Sequence, residues 1–129
     1  MATQSPTITR VVLENYKSIA ACDVPLGPLT FLVGRNGSGK SNFLDALHFL
    51  HECTTDTLDN ALRRRGGIDE MIYRKAAASG NLALKLELTL PYGQSATYSL
   101  RLGTRSFGGY EIVEEACRMV TGPATDMLP

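Results

Sequence analysis

Tryptophan is absent, and only three cysteines occur in 129 residues. Cys22, Cys53 and Cys117 are odd in number, widely separated and form no C-x-x-C pair, so neither a disulfide framework nor a cysteine zinc site is indicated. No apolar run approaches the roughly 18 residues that a membrane helix needs, and the opening MATQSPTITR has neither the basic nor the apolar part of a secretory leader. These absences lead us to expect a reduced, cytoplasmic setting and no membrane partner. Charge of one sign is lacking too: 13 Lys and Arg balance 13 Asp and Glu, so bulk charge gives no argument for nucleic-acid or anionic-membrane binding. Repeats and low-complexity tracts are missing, which excludes solenoid and fibrous folds. With 43% hydrophobic and 20% charged residues, composition is that of an ordinary globular protein, and the length suits one domain.

What is present has a clear order. Thr7 to Glu14 reads as a β-branched strand ending near the turn-forming Asn15. A mixed stretch punctuated by Pro25, Gly27 and Pro28 precedes the apolar run Leu29 to Val33, a buried strand. From Lys40 to His51, Phe43, Leu44, Leu47, Phe49 and Leu50 recur at helical spacing over more than one face, which predicts a largely buried helix. Residues 52–80 are an irregular connector, with a short helix over Leu58 to Arg65. Strict alternation then begins: Leu82, Leu84, Leu86, Leu88 and Leu90 fall on one face and Ala83, Lys85, Glu87 and Thr89 on the other. Turns at Pro91 to Gln94 and at Gly108-Gly109 divide 81–120 into a three-strand antiparallel meander.

Residues 34–41, GRNGSGKS, fill every position of the phosphate-loop pattern G-x-x-x-x-G-K-[ST]. Chance would supply this in on the order of one chain of this length in a few hundred. The context agrees, because an apolar strand runs into Gly34 and a helix leaves from Lys40. Gly34, Gly37 and Gly39 permit backbone angles and close approaches that a Cβ would block, so successive N–H groups can converge on phosphate oxygens. The helix N-terminus adds its dipole, Lys40 adds a positive charge at the β- and γ-phosphates, and the Ser41 hydroxyl can ligate Mg²⁺. A nucleoside triphosphate with Mg²⁺ is therefore the expected ligand, and the expected fold class is α/β, a phosphate-loop NTPase.

Hydrolysis also needs a carboxylate for the metal's water and a group that orients the attacking water. No run of about four apolar residues ends in a convincing acid of the Walker B kind. Asp69-Glu70 follows only Ile68, Glu114-Glu115 follows only Ile112-Val113 and reads as solvated strand residues, and Val11-Val12-Leu13-Glu14 lies before the loop.

The stretches NYKSI and GRNGSGKSNFLDALHFL resemble the N-terminal part of the ATPase head in the SMC, RecF and OLD-like group of ABC-type, AAA-family ATPases. The resemblance spans most of residues 7–120. It rests on an aromatic-Lys-Ser step (Tyr16, Lys17, Ser18) and on Asn42, Phe43, Leu44, Asp45 and Ala46 directly after the loop. It implies ATP and Mg²⁺ as ligands and a nucleotide site made of Gly34, Asn36, Gly37, Ser38, Gly39, Lys40, Ser41 and Asn42, with Lys17 at the nucleotide or DNA face. It implies an arginine reaching the phosphates from Arg63, Arg64 or Arg65, a homodimer with nucleotide sandwiched between heads, and possible DNA and effector partners. The meander becomes the antiparallel subdomain of such a head, whose signature, Walker B and switch histidine would belong to a C-terminal half not found in these 129 residues.

Other signals are weaker. Ser106-Phe107-Gly108-Gly109-Tyr110 superficially matches part of an ABC signature, but β-forming residues follow where a signature opens a helix, so we expect a hairpin turn. His48, His51 and Cys53 have metal-like spacing without further ligands, and read as helix surface. Arg63, Arg64, Arg65, Arg74 and Lys75 form a basic cluster able to meet a phosphate backbone. The expected function is ATP binding, head dimerisation and hydrolysis in DNA repair, chromosome handling or mobile-element defence. The alternative is a non-catalytic nucleotide-sensing module that controls a separate partner. A small-molecule kinase is disfavoured by the meander.

Overall fold

A computed structural model describes residues 6–27, 39–73 and 80–120. The expected strand at 29–33 and loop positions 34–38 lie outside the described residues, as do Arg74 and Lys75. The described elements are β1 (Thr7–Tyr16), β2 (Ile19–Pro25), α1 (Lys40–Thr55), α2 (Leu58–Arg64), α3 (Ile68–Met71), β3 (Leu82–Thr89), β4 (Ser95–Thr104) and β5 (Tyr110–Val120). The strands make one five-stranded sheet in the order β2-β1-β3-β4-β5, and every neighbouring pair is antiparallel.

This sheet revises the expected division of the chain. The meander does not stand apart: Leu13 pairs with Leu84 and Val11 with Leu86, so β1 is the direct neighbour of β3. Residues 19–25, read above as an irregular stretch, form β2. The reason is a short alternation that Pro25 obscures: Cys22 and Val24 pack towards the core while Asp23 faces out to Arg10.

The helices lie on one face of the sheet. The core joins Val11, Leu13, Leu82, Leu84, Leu100 and Leu102 of the strands to Phe43, Ala46, Phe49 and Leu50 of α1, Ala61 and Leu62 of α2, and Ile68 and Met71 of α3. The opposite face carries cross-strand ion pairs, Arg10 with Asp23 and Glu87 and Arg101 with Glu14. Such exposed pairs contribute little to stability.

The expectation of a helix buried on most sides is corrected by α1. It runs to Thr55, and Leu44 is 55% exposed. A polar stripe of Asn42, Asp45 and Glu52, spaced 3 and 7 residues apart, runs along one helical face. The connector is more ordered than its composition suggests. Thr57 caps α2 by accepting from the Asn60 N–H at 3.1 Å, with Asp59 in the first turn and Arg63 and Arg64 in the last, the charge order that complements the helix dipole. The decoy at 106–109 is a turn between β4 and β5, closed by the Arg105 N–H donating to the Gly109 carbonyl at 3.0 Å. Gly108 and Gly109 supply its positive φ angles of 94° and 85°.

Phe49 is fully buried against both the sheet and the Tyr16 ring, whereas Leu44 faces solvent. Phe49→Ala is expected to cost about 3–5 kcal/mol and Leu44→Ala less than about 0.5 kcal/mol, measured by urea unfolding.

Candidate functional site: the start of the first long helix

The helix α1 opens as the loop sequence requires. Gly39 is its N-cap at φ 100°, a left-handed angle that a residue with a side chain adopts only at a cost. A Cβ there would also stand 3.4 Å from Ile19 Cγ1. The first turn contains no acidic residue, and its cap makes no side-chain hydrogen bond. Lys40 and Ser41 are the first helical residues, with Ser41 exposed. An anion at this end would meet the positive end of the dipole and a lysine. These groups suit a phosphate, and Ser41 suits a hard cation through its oxygen.

Against this end packs the turn between β1 and β2. Asn15 and Lys17 have φ of 56° and 51°. For a lysine that conformation costs about 1–2 kcal/mol, and the surroundings explain why it persists. The Lys17 N–H donates to the Met71 carbonyl at 2.5 Å, and the Tyr73 N–H donates to the Asn15 carbonyl at 2.9 Å. Tyr16 is bridged to Ile72. The backbone of the turn is thus stitched to the end of α3, while its side chains engage α1. Asn42 Nδ2 donates to Ser18 Oγ at 2.6 Å, and the Tyr16 hydroxyl donates to Asp45 Oδ2 at 2.6 Å.

Asp45 is the meeting point. Its carboxylate also receives Lys17 Nζ at 2.8 Å, Arg65 Nε at 3.1 Å and Arg65 Nη2 at 3.1 Å. Arg65 reaches back further to Glu52 and to the Ala61 carbonyl at 3.1 Å, and its guanidinium lies 5.2 Å from the centre of the Phe49 ring. Partial burial works against charge on Asp45, yet hydrogen bonds from Arg65, Lys17 and Tyr16 outweigh it and hold its carboxyl well below the usual carboxylate range. Burial, then the bond to the Asp45 carboxylate, raises the Tyr16 hydroxyl. Arg65 lowers Glu52. On the next turn Asn60, the Thr57 N–H and Arg64 bring Asp56 to about 2.

The three candidate arginines therefore differ. The Arg63 side chain is 77% exposed and pairs with Asp59 on its own helix. Arg64 pairs with Asp56 and approaches Glu52. Arg65 is only 8% exposed, between Asp45 and Glu52. Lys17 stands on Asp45, with its ammonium 5.9 Å from the Tyr16 ring centre. Sequence reasoning missed Asp45, Glu52 and the Tyr16 hydroxyl as site residues; the seven-residue spacing of Asp45 and Glu52, which puts both on one face of α1, was the available signal. No group of metal-binding side chains occurs among the described residues, His48, His51 and Cys53 included. Glu114 is exposed on β5, and Glu115 accepts from the Tyr98 hydroxyl at 3.2 Å.

A glycine-capped helix opening on Lys40 and Ser41, after a complete phosphate-loop sequence, is the pattern of phosphate-loop nucleotide-binding proteins as a class. Residues 7–100 match the family described as "RecF/RecN/SMC N terminal domain". The chain belongs to that family, and carries the N-terminal segment of an SMC/RecF-like ATPase. Among curated relatives, it is 42% identical over 81 residues to "DNA replication and repair protein RecF" of Porphyromonas gingivalis, covering 57% of this chain and 22% of that protein. The protein of the same name from Brucella abortus is 34% identical over 107 residues, covering 81% and 24%. That from Nocardioides sp. is 30% identical over 90 residues, covering 68% and 21%. The chain thus spans under a quarter of the length of these relatives. No solved structure gives a significant match. Among the described residues no helix is long and apolar enough to cross a membrane.

Because Asp45, Glu52 and Asp56 are all held below their ordinary values, the folded chain binds fewer protons than the unfolded chain once pH drops to the carboxylate range. Their contribution is complete above about pH 5 and is lost as pH falls further. Thermal midpoints should decline below that point, and less steeply in Asp45→Asn. At neutral pH, Arg65→Ala should be clearly destabilising, because it removes the one group that joins Asp45 to Glu52 and leaves Asp45 to Lys17 and Tyr16, whereas Arg63→Ala should cost less than about 0.5 kcal/mol, both measured by urea unfolding.

Proposed function

We propose that this chain binds ATP with Mg²⁺ through residues 34–42 and forms the nucleotide-binding part of a RecF-type DNA-repair ATPase. The observation that carries the reading is the complete phosphate-loop sequence delivered into α1 through a left-handed Gly39. Gly34, Asn36, Gly37, Ser38 and Gly39 would offer backbone N–H groups to the phosphates. Lys40 would supply positive charge, and Ser41 and Asn42 would complete the edge of the site. Lys17, fixed beside the helix start, is a second cation within reach of that edge. Bound Mg²⁺ would neutralise phosphate charge, with Ser41 as its protein ligand.

In the whole protein we place this segment in a head that dimerises around nucleotide and hydrolyses it, coupling the two states of the dimer to DNA repair. The curated relatives' name, DNA replication and repair protein, supports that setting. DNA contact would fall on Arg63, Arg64, Arg74 and Lys75. Arg65, enclosed by Asp45 and Glu52, is the least available of the basic residues to a new ligand.

A second reading, a nucleotide-sensing module without catalysis of its own, uses the same phosphate-loop sequence. The two readings share the binding step. Calorimetric titration with MgATP should show saturable binding by the wild type and a loss of tenfold or more in Lys40→Ala, the order expected for one charged hydrogen-bonding group. Equal affinities would remove both readings.

A further inference from the structure

We propose that Asp45 is a positioning residue of the nucleotide site, acting through the Lys17 ammonium; this rests on the ATP-binding reading above. Asp45 follows Ser41 by four residues, about 6 Å along the helix and on the same side of it. Its carboxylate is therefore one turn behind the groups assigned to phosphate and metal. The main chain of Lys17 has little freedom, since its N–H is bonded to Met71, Ser18 is bonded to Asn42 and Ile19 abuts Gly39. What remains to be fixed is the four-carbon side chain, and Asp45 Oδ2 fixes it at 2.8 Å from Nζ.

This contact is not needed to neutralise Asp45. Arg65 already meets both carboxylate oxygens, and Tyr16 donates a third group. A lysine ammonium carries three donors, so one held by a single carboxylate oxygen keeps donors for phosphate oxygens. Asp45 thus spares Lys17 the entropy of finding its place when an anion arrives, an ordering cost that a long side chain otherwise bears on binding. A purely architectural Asp45 would act through Arg65 and the core, without reference to Lys17.

The two roles separate in a double-mutant cycle on MgATP affinity, measured by calorimetry on the full chain, with Lys40→Ala as control for the site itself. Asp45→Asn and Lys17→Gln should each weaken binding about tenfold, and the double variant no more than about tenfold, because both changes remove one placed ammonium. Should Asp45→Asn not fold, Asp45→Glu carries the same test. It keeps a carboxylate for Arg65 but displaces it by one methylene, and its several-fold loss should vanish in the Lys17→Gln background. Losses that multiply to about a hundredfold, or Asp45 variants that fold and bind like wild type while Lys40→Ala fails, would overturn the proposal. Lys40→Ala binding like wild type would instead overturn the nucleotide reading on which it depends.

Discussion

One carboxylate joins three parts of this protein that are far apart in sequence. Asp45 on α1 meets Tyr16 and Lys17 from the β1–β2 turn and Arg65 from the end of α2. Without it, the start of α1 would be placed by the Asn42–Ser18 hydrogen bond and by non-directional apolar contacts with the sheet, which leave a helix freer to slide and rotate by fractions of a turn. A bidentate guanidinium and a phenol hydroxyl converging on one group remove that freedom, since charged hydrogen bonds are short and directional. Removing one partner would leave charge partly buried and unmatched, which makes such a junction costly to break even where its net contribution to stability is small.

The same junction accounts for the unusual backbone beside it. Lys17 persists in a left-handed conformation because its N–H is held by the end of α3 while its side chain and its neighbours Tyr16 and Ser18 are held by α1. Strain that is over-determined in this way commonly marks a place where geometry is needed for function. Here it stands beside the start of α1, at Gly39, Lys40 and Ser41. Fold and site are thus one arrangement: the sheet carries the turn, the turn braces the helix, and the helix presents the loop's last residues.

Much of this was legible in the sequence, and the failures have physical causes. The alternation of Leu82 to Leu90 and the helical spacing after Lys40 located β3 and α1, because period follows directly from which face is buried. Strand β2 was obscured because Pro25 ends the seven-residue segment and Gly27 follows it, and because its core-packed residues Ile19, Cys22 and Val24 do not keep a strict alternation. The joining of β1 to β3 could not be read from local pattern, since pairs such as Leu13 with Leu84 are separated by the entire helical region. The phosphate loop was found from residue identity alone, with positions 34–38 outside the described structure. Asp45 and Glu52 were missed for a different reason. Their polar stripe is interleaved with Phe43, Leu44, Leu47 and Leu50, so the helix looks apolar all round until its partners Tyr16 and Arg65 are known.

The claim that Asp45 holds the turn, the helix and the connector together is tested most directly by native-state amide hydrogen exchange in the wild type and Asp45→Asn. The account predicts that the Lys17 and Tyr73 amides, bonded to Met71 and Asn15, lose protection together in the variant while the amides pairing β3 with β4 keep theirs. Unchanged protection at Lys17 and Tyr73, or a uniform loss across the sheet, would contradict it.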